Sequence, residues 1–450
     1  MPTGSSQTLS RRQGWAAITT FLSFTVDQYS GFVLIVAAPF IAEIFFPESN
    51  YAISLLLSFV TVATGYLIRP IGAILFGPHT DKVGRRNTMA ITTAIVTLVT
   101  AAIGILPTYA QAGIISPILL LIIRLLNGLF TGAMTTGTHT IGVETVKEKF
   151  RGVVGGSLSS SAGLGSLLGS IAFTFVSLAY PGAMFTAVGW RFYFATAGIG
   201  IIVPILTVLT IKESYLFELT KTAKKTIAHP FRYFFSPRNG LIRSFTLGIL
   251  MTLSWSMIVS GVVHGVLTSY LLTVNHMSRV TIGELSIYGG LAFIAGPLFG
   301  GQVSQMIGRK RTAIMGAILL FFPAFSYYML SRVGNSFSAA LPYILLLSFF
   351  GAFGAGMYVI FLDEMFSTKI RASAVSLTYN IGLTIGGTTT IWVGLLLVRF
   401  GFNAYPLIIV AFVAVLATII IVVAAISRET KGRMHEEEIE EEREVLSPSS

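Results

Sequence analysis

The sequence predicts an all-α polytopic membrane protein, with twelve transmembrane helices in two pseudo-symmetric six-helix halves. Three observations predict it. Hydrophobic residues make up 53% of the 450 and charged residues 11%, against about 25% charged in soluble domains. The apolar residues come in runs of about 20, the length that crosses a bilayer. Two loops also recur half a chain apart. Residues 77–86 read GPHTDKVGRR, and a degraded copy, GQVSQMIGRKR, stands 224 residues later at 301–311. Glu144 to Arg151 (ETVKEKFR) returns 220 residues on as Glu364 to Arg371 (EMFSTKIR). Unrelated loops repeating at nearly one offset mark two homologous halves.

Taken in order, the candidate helices begin near Gly14, Tyr51, Asn87, Ser116, Gly152, Arg191, Leu241, Thr281, Thr312, Ala339, Ala372 and Ala404. The resulting partition has a cytoplasmic N-terminus (1–13), a first six-helix bundle (14–211) and a basic middle loop (212–241). A second bundle (242–427) and an acidic tail (428–450) complete it. The first apolar run is too long for a signal-peptide core. Orientation comes from the basic residues. With the N-terminus inside, inner termini and loops hold 24 of the 30 Lys and Arg, so both ends are expected in the cytoplasm of a plasma-membrane protein. Arg191, Arg279, Arg332 and Arg399 fall on the outer side, and Arg69 and Arg124 within helices. The middle loop is expected along the inner surface, and the run from His435 to Glu444 as a solvated end.

The formal charge of +11 does not point to nucleic acid, because the charges lie in short loops between apolar segments. The absence of Cys excludes disulfides, thiolate chemistry and cysteine-held metal. No phosphate-cradling Gly-rich loop with Lys and Ser or Thr, no HExxH and no Ser/His/Asp set is visible. The chain therefore reads as no enzyme, with no cofactor or metal. Its partners are the lipid bilayer and a small solute, and its working unit is read as the monomer.

Charged groups inside a bilayer are costly and mark function. Asp27 is the only acid well inside an apolar run. Counting helix rise puts Asp27 and Arg124 roughly 15–20 Å above the inner face and Arg69 roughly 10 Å. Those depths suggest an Asp27–Arg124 pair, with Arg69 one or two turns below. An acid that can protonate, beside an Arg that cannot lose its charge, can couple proton and substrate binding. Two Arg against one Asp leave the expected cavity positive, favouring a carboxylate. His264 adds a titratable donor in helix 7, and Tyr29, Tyr270, Tyr358, Tyr379 and Asn380 are candidate cavity hydrogen-bonders. Gly128 and Gly132, one helix turn apart, present a smooth face for close packing. In the repeated loops, Gly77, Asp81, Gly84, Arg85, Arg86, Glu144 and Arg151, with Arg309, Glu364 and Arg371 in the second half, form an expected gate. Such a cluster would latch the halves shut inside and release when they rock.

GPHTDKVGRR resembles the signature between helices 2 and 3 of the major facilitator superfamily, and RLLNGLFTG its helix 4 motif. Within that superfamily the chain resembles the metabolite:proton symporters, carriers of citrate, α-ketoglutarate, shikimate and proline/betaine. The likeness rests on VDQYSGF in helix 1, FFP at 45–47, RPIGAILFG at 69–77, GWR at 189–191, KES at 212–214 and FLDEMFSTKIRASAVSLTYNIGLTIGG at 361–387. It implies that Asp27 stands for the helix 1 acid, Arg124 for the helix 4 Arg and Arg69 for the Arg of RPxG. Tyr379 and Asn380 stand for a Tyr-Asn pair in helix 11. The chain departs from the pattern at Ser30, where a second acid is usual, and at Gln28, where an aromatic is. Lys82 replaces an Arg, and Gln305 an Asp, so the latch is expected to be asymmetric. Pro is absent from 152–180, which favours symport over antiport.

The leading function is secondary active transport by alternating access: proton-coupled symport of a small organic acid or zwitterionic metabolite. Asp27 and Arg124 are read as the proton-coupling pair. Arg69, Arg124, Tyr29, His264, Tyr379 and Asn380 are read as substrate-binding. Sodium stays open as the coupling ion. Two other readings stay open: a facilitator or sugar-type carrier with a structural Asp27–Arg124 pair, and a membrane sensor or scaffold without flux.

Overall fold

The computed structural model describes the backbone of residues 11–83, 85–144, 148–210, 241–366 and 371–432. Side chains are described within these ranges, outside 11–17, 77–85, 135–150 and 371–373. The side chains of Gly77, Asp81, Gly84, Arg85, Glu144 and Arg371, most of the middle loop and the tail from 433 therefore lie outside the described residues.

Among the described residues, twelve helices are long and apolar enough to span a membrane. In the first half they are α1 (Ile18–Phe45), α2 (Tyr51–Phe76), α3 (Arg86–Ile105), α4 (Ile115–Met134), α5 (Arg151–Ala179) and α6 (Phe185–Thr210). In the second they are α7 (Leu241–Thr273), α8 (Arg279–Ile307), α9 (Arg309–Leu330), α10 (Phe337–Met365), α11 (Ala374–Phe400) and α12 (Phe402–Ile426). No strand occurs among the described residues. Lipid accounts for this: it offers the backbone no hydrogen-bond partner, so each segment must satisfy its own polar groups.

Side-chain caps begin several helices. Asn50 Oδ1 accepts from Ala52 N (2.9 Å) at α2, and Ser278 Oγ accepts from Thr281 N (3.1 Å) at α8. Three helix breaks shape the interior. Pro70 has no N–H to donate, and α2 gives way at Ile68, so Arg69 opens a fresh helical segment. In α7, Met257–Gly265 form wide π turns, and in α10 the helix resets at Gly354.

Small residues let the helices close. A Cβ on Gly128 or Gly132 would run into the carbonyl oxygens of Gly65 and Arg69, so α4 lies directly against α2. The sequence spacing predicted this smooth face. The two halves meet along two seams. On one, α5 and α8 touch backbone to backbone. A Cβ on Gly152 would stand 2.5 Å from Gly301 O, and one on Gly163 2.7 Å from Ile294 N. Ser160 Oγ also donates to Ile294 O (2.8 Å). On the other, α2 meets α11, where Thr384 Oγ1 donates to Tyr66 O (2.8 Å). Outward, α4, α6 and α12 turn exposed Ile118, Ile199 and Leu407 toward the lipid position.

Candidate functional site

Where α1, α2, α5, α7, α8, α10 and α11 converge, the seams leave a cavity of about 60 Å³. Its charged groups among the described residues are Asp27 and Arg69, 1% and 6% exposed. Arg69 Nη2 stands 3.2 Å from Asp27 Oδ1. Gln28 Nε2 donates to the other carboxylate oxygen, Oδ2, at 3.1 Å. The Arg69 guanidinium lies 4.7 Å over the Tyr66 ring, and its Nε has no partner among the described residues. A buried ion pair with an unspent donor on a cavity wall can exchange partners with an incoming solute.

The expected Asp27–Arg124 pair is corrected here: Asp27 binds Arg69. Arg124 does not line the cavity. It donates through Nη2 to Val62 O (2.9 Å) and through Nη1 to Asn127 Oδ1 (3.2 Å). Asn127 passes the link on to Thr100 Oγ1 (3.0 Å). The guanidinium fits because residue 65 is Gly, where a Cβ would overlap it. Arg124 thus ties α4 to α2 and, through Asn127, to α3. The expected positive cavity is corrected with it, since the described wall carries one Arg against one Asp.

Apart from this pair, the wall mixes aromatic and hydroxylic side chains with aliphatic ones such as Ile35, Leu158, Val259 and Leu383. His264 reaches it from the π turns of α7 and packs between Phe32 (ring centroids 5.4 Å) and Phe293 (4.8 Å). Tyr379 and Tyr358 line it with stacked rings, 6.3 Å apart and 6° from parallel. The other named tyrosines and Asn380 face elsewhere. Tyr29 shares a 2.6 Å hydrogen bond with Thr196 on α6, and Tyr270 donates to Tyr327 O (2.8 Å). Asn380 Nδ2 donates back to Ser376 O (2.9 Å) within α11. Sequence reasoning missed Phe24, Phe32, Tyr66 and Phe293, which no local pattern separates from other membrane aromatics. It also missed Ser159 and Ser161, for which SLSSS at 157–161, a dense hydroxyl run inside an apolar helix, was an available signal.

The described part of the gate lies at the other end of α8. Gly308 (φ 96°) turns the chain sharply, and Arg309 follows fully buried. Its Nε and Nη2 grip Glu364 Oε2 (3.0 Å) and Oε1 (2.9 Å) as a bidentate pair within the second half. Nη1 donates to Ser304 Oγ (2.9 Å) and Nη2 to Gln305 Oε1 (3.1 Å). Gln305 Oε1 also accepts from Gly152 N (3.2 Å), which crosses between halves. Arg151 is buried beside that seam, and Arg86 donates to Val208 O. Behind the pair, Thr430 Oγ1 donates to Glu364 Oε2 (2.9 Å). Glu429 caps the start of α9, accepting from Arg309 N (2.9 Å) and Lys310 N (3.2 Å). Burial pushes the Glu429 carboxyl up, but the backbone N–H groups of Lys431, Arg309, Lys310 and Thr430 outweigh it and hold the group below its ordinary 4.5.

At the opposite end, a cation bridges the halves. Arg279, first residue of α8, lies 4.7 Å over the Phe40 ring and 5.2 Å over Phe185. It donates to Gly182 O (2.5 Å). Contacts thus cross between the halves near both ends of α8, from Gly152 N to Gln305 and from Arg279 to Gly182 O.

Known proteins share this architecture. The family model described as Major Facilitator Superfamily matches residues 17–377 and 256–449. The chain is 29% identical over 367 residues to the proline/betaine transporter of Salmonella typhimurium, covering 78% of this chain and 71% of that one. It is 24% identical over 428 residues to the inner membrane metabolite transport protein YhjE of Escherichia coli, covering 92% and 94%. It is 25% identical over 403 residues to the shikimate transporter of Escherichia coli, covering 86% and 88%. Among solved structures, a D-xylose-proton symporter superposes with a TM-score of 0.72 at 16% identity, covering 93% of this chain and 99% of that one.

Proposed function

We propose a solute class and a driving ion for this protein on the premise that the chain belongs to the Major Facilitator Superfamily and is a multi-pass membrane transporter. The reading is proton-coupled symport, by alternating access, of a small zwitterion or carboxylate. The observation that carries it is the Asp27–Arg69 pair on the wall of the cavity between the halves. A solute carboxylate competes with Asp27 for the guanidinium, and the freed Asp27 then takes the coupling proton. Equal and opposite charges on the wall favour a zwitterion over a bare di- or tricarboxylate, and the rings of Tyr66, Tyr358 and Tyr379 suit a cationic methylated nitrogen. The named substrates of the proline/betaine and shikimate relatives fall in the same classes.

In this mechanism Asp27 carries the coupling charge and Arg69 holds the carboxylate. His264, between two aromatic rings, shapes the cavity and can donate to the solute. Arg124 acts on α2, the helix that carries Arg69. Arg279 closes one end, and the Arg309–Glu364–Gln305 set closes the other with Asp81, Arg85, Glu144 and Arg371. The basic-residue count supports placing that second end, and both termini, in the cytoplasm of a plasma-membrane protein, whose working unit is read as the monomer.

Uptake into proteoliposomes tests the reading, with betaine, proline, mono-, di- and tricarboxylates and xylose, with and without an inward proton gradient. Gradient-driven uptake of zwitterions or monocarboxylates, abolished by Asp27→Asn while counterflow exchange survives, is the expected result. Uptake driven equally well by a sodium gradient alone, or confined to xylose, would overturn it.

A further inference from the structure

A second cavity, of about 240 Å³, opens where the first turn of α7 meets the ends of α10 and α12. Its polar lining is Arg243, Ser244, Ser427, Arg428 and Thr430, and its apolar floor is Leu247, Met365 and Ile426. No acid lines it among the described residues. Glu429, beside it in sequence, turns to the backbone of Arg309 and Lys310, and Glu364 is occupied by Arg309 and Thr430. Arg243 is anchored by one nitrogen, Nη2, to Ile426 O (3.0 Å). Arg428 is exposed and has no partner among the described residues. Two side chains fix the depth. Ile426, half exposed, lines the cavity and ends α12, and Ile242, also half exposed, stands next to Arg243 in the first turn of α7, so the cavity lies at the apolar ends of two membrane-spanning helices.

We propose that this cavity is a binding site for the phosphate headgroup of an anionic phospholipid, held by Arg243 and Arg428. A basic pocket between helix ends, with hydroxyl donors above and an apolar floor below, matches a phosphodiester joined to its glycerol and acyl chains. A soluble phosphate would gain nothing from the floor. The site also adjoins the gate: Thr430 forms its wall and donates to Glu364. A bound headgroup therefore rests one side chain from the Arg309–Glu364 pair.

Native mass spectrometry of the full-length protein, titrated with phosphatidylglycerol or phosphatidylcholine in mixed micelles, tests this. Phosphatidylglycerol is expected to bind more tightly. Arg243→Gln with Arg428→Gln should weaken it roughly thirtyfold, about fivefold per basic residue at a membrane surface, and leave phosphatidylcholine unchanged. Arg243→Lys with Arg428→Lys keeps both charges and should stay within a few-fold of the parent, which separates lost charge from lost folding. Equal phosphatidylglycerol affinity in the Gln variant and the parent would overturn the assignment. So would complete displacement by millimolar inorganic phosphate, which would make the ligand a soluble anion.

Discussion

Replacing Asp27 with Asn leaves the Arg69 guanidinium, 6% exposed, facing a neutral amide. Opposite charges about 4 Å apart attract by about 4 kcal/mol at an effective dielectric near 20. Removing one partner of a buried pair typically costs about 3–5 kcal/mol, because the survivor stays desolvated. Part of that cost is relieved here, since the cavity on which the pair stands admits water and the Tyr66 ring lies under the cation. Asp27→Asn and Arg69→Gln should therefore each lower stability by about 2–3 kcal/mol. The double variant, with no buried charge left, should cost less than the two singles together by at least about 2 kcal/mol. Reversible unfolding in mixed micelles, measured for the four proteins of the cycle, gives that coupling. Additive losses, within about 0.5 kcal/mol, would refute the pair as an energetic unit and with it the exchange of partners on which coupling depends.

The geometry predicts three further outcomes. Arg124→Gln should lower the unfolding midpoint, because Val62 O and Asn127 lose their donor, while leaving the pH dependence of transport as it was; a shifted pH profile would return Arg124 to the coupling site. Arg279→Ala removes two ring contacts worth about 0.5–2 kcal/mol each and should favour opening at that end. In a chain with no natural Cys, faster labelling of Ile35→Cys on the cavity wall by an impermeant maleimide added outside reports it, and an unchanged rate would count against the gate. Glu429→Gln should destabilise at neutral pH. The folded-state value of Glu429 lies below its ordinary 4.5, so its contribution is full above that pH and fades as pH falls through the lower folded value. Stability of parent and variant should converge in that acid window, and a gap that persists there would show the carboxylate's charge to be irrelevant.

The sequence alone determined the twelve spans and the two-half repeat, because apolar length and loop recurrence are properties of the chain read in one dimension. It also picked out Asp27, Arg69, His264 and Tyr379, since intramembrane polar groups stand out against lipid-compatible neighbours, and it found the glycine face of α4 from spacing. Only tertiary structure decided which groups meet. Helix rise fixes a residue's depth but not the direction it faces, and Asp27 and Arg124 at equal depth face different neighbours. The break at Ile68 before Pro70 and the open space at Gly65 send Arg69 to Asp27 and Arg124 to the α2 backbone. The same reason removed Tyr29 and Asn380 from the cavity wall, for each found a partner within its own half, in Thr196 and Ser376. Charge balance at the site, one cation against one anion rather than two, is a consequence of packing directions that no linear pattern records.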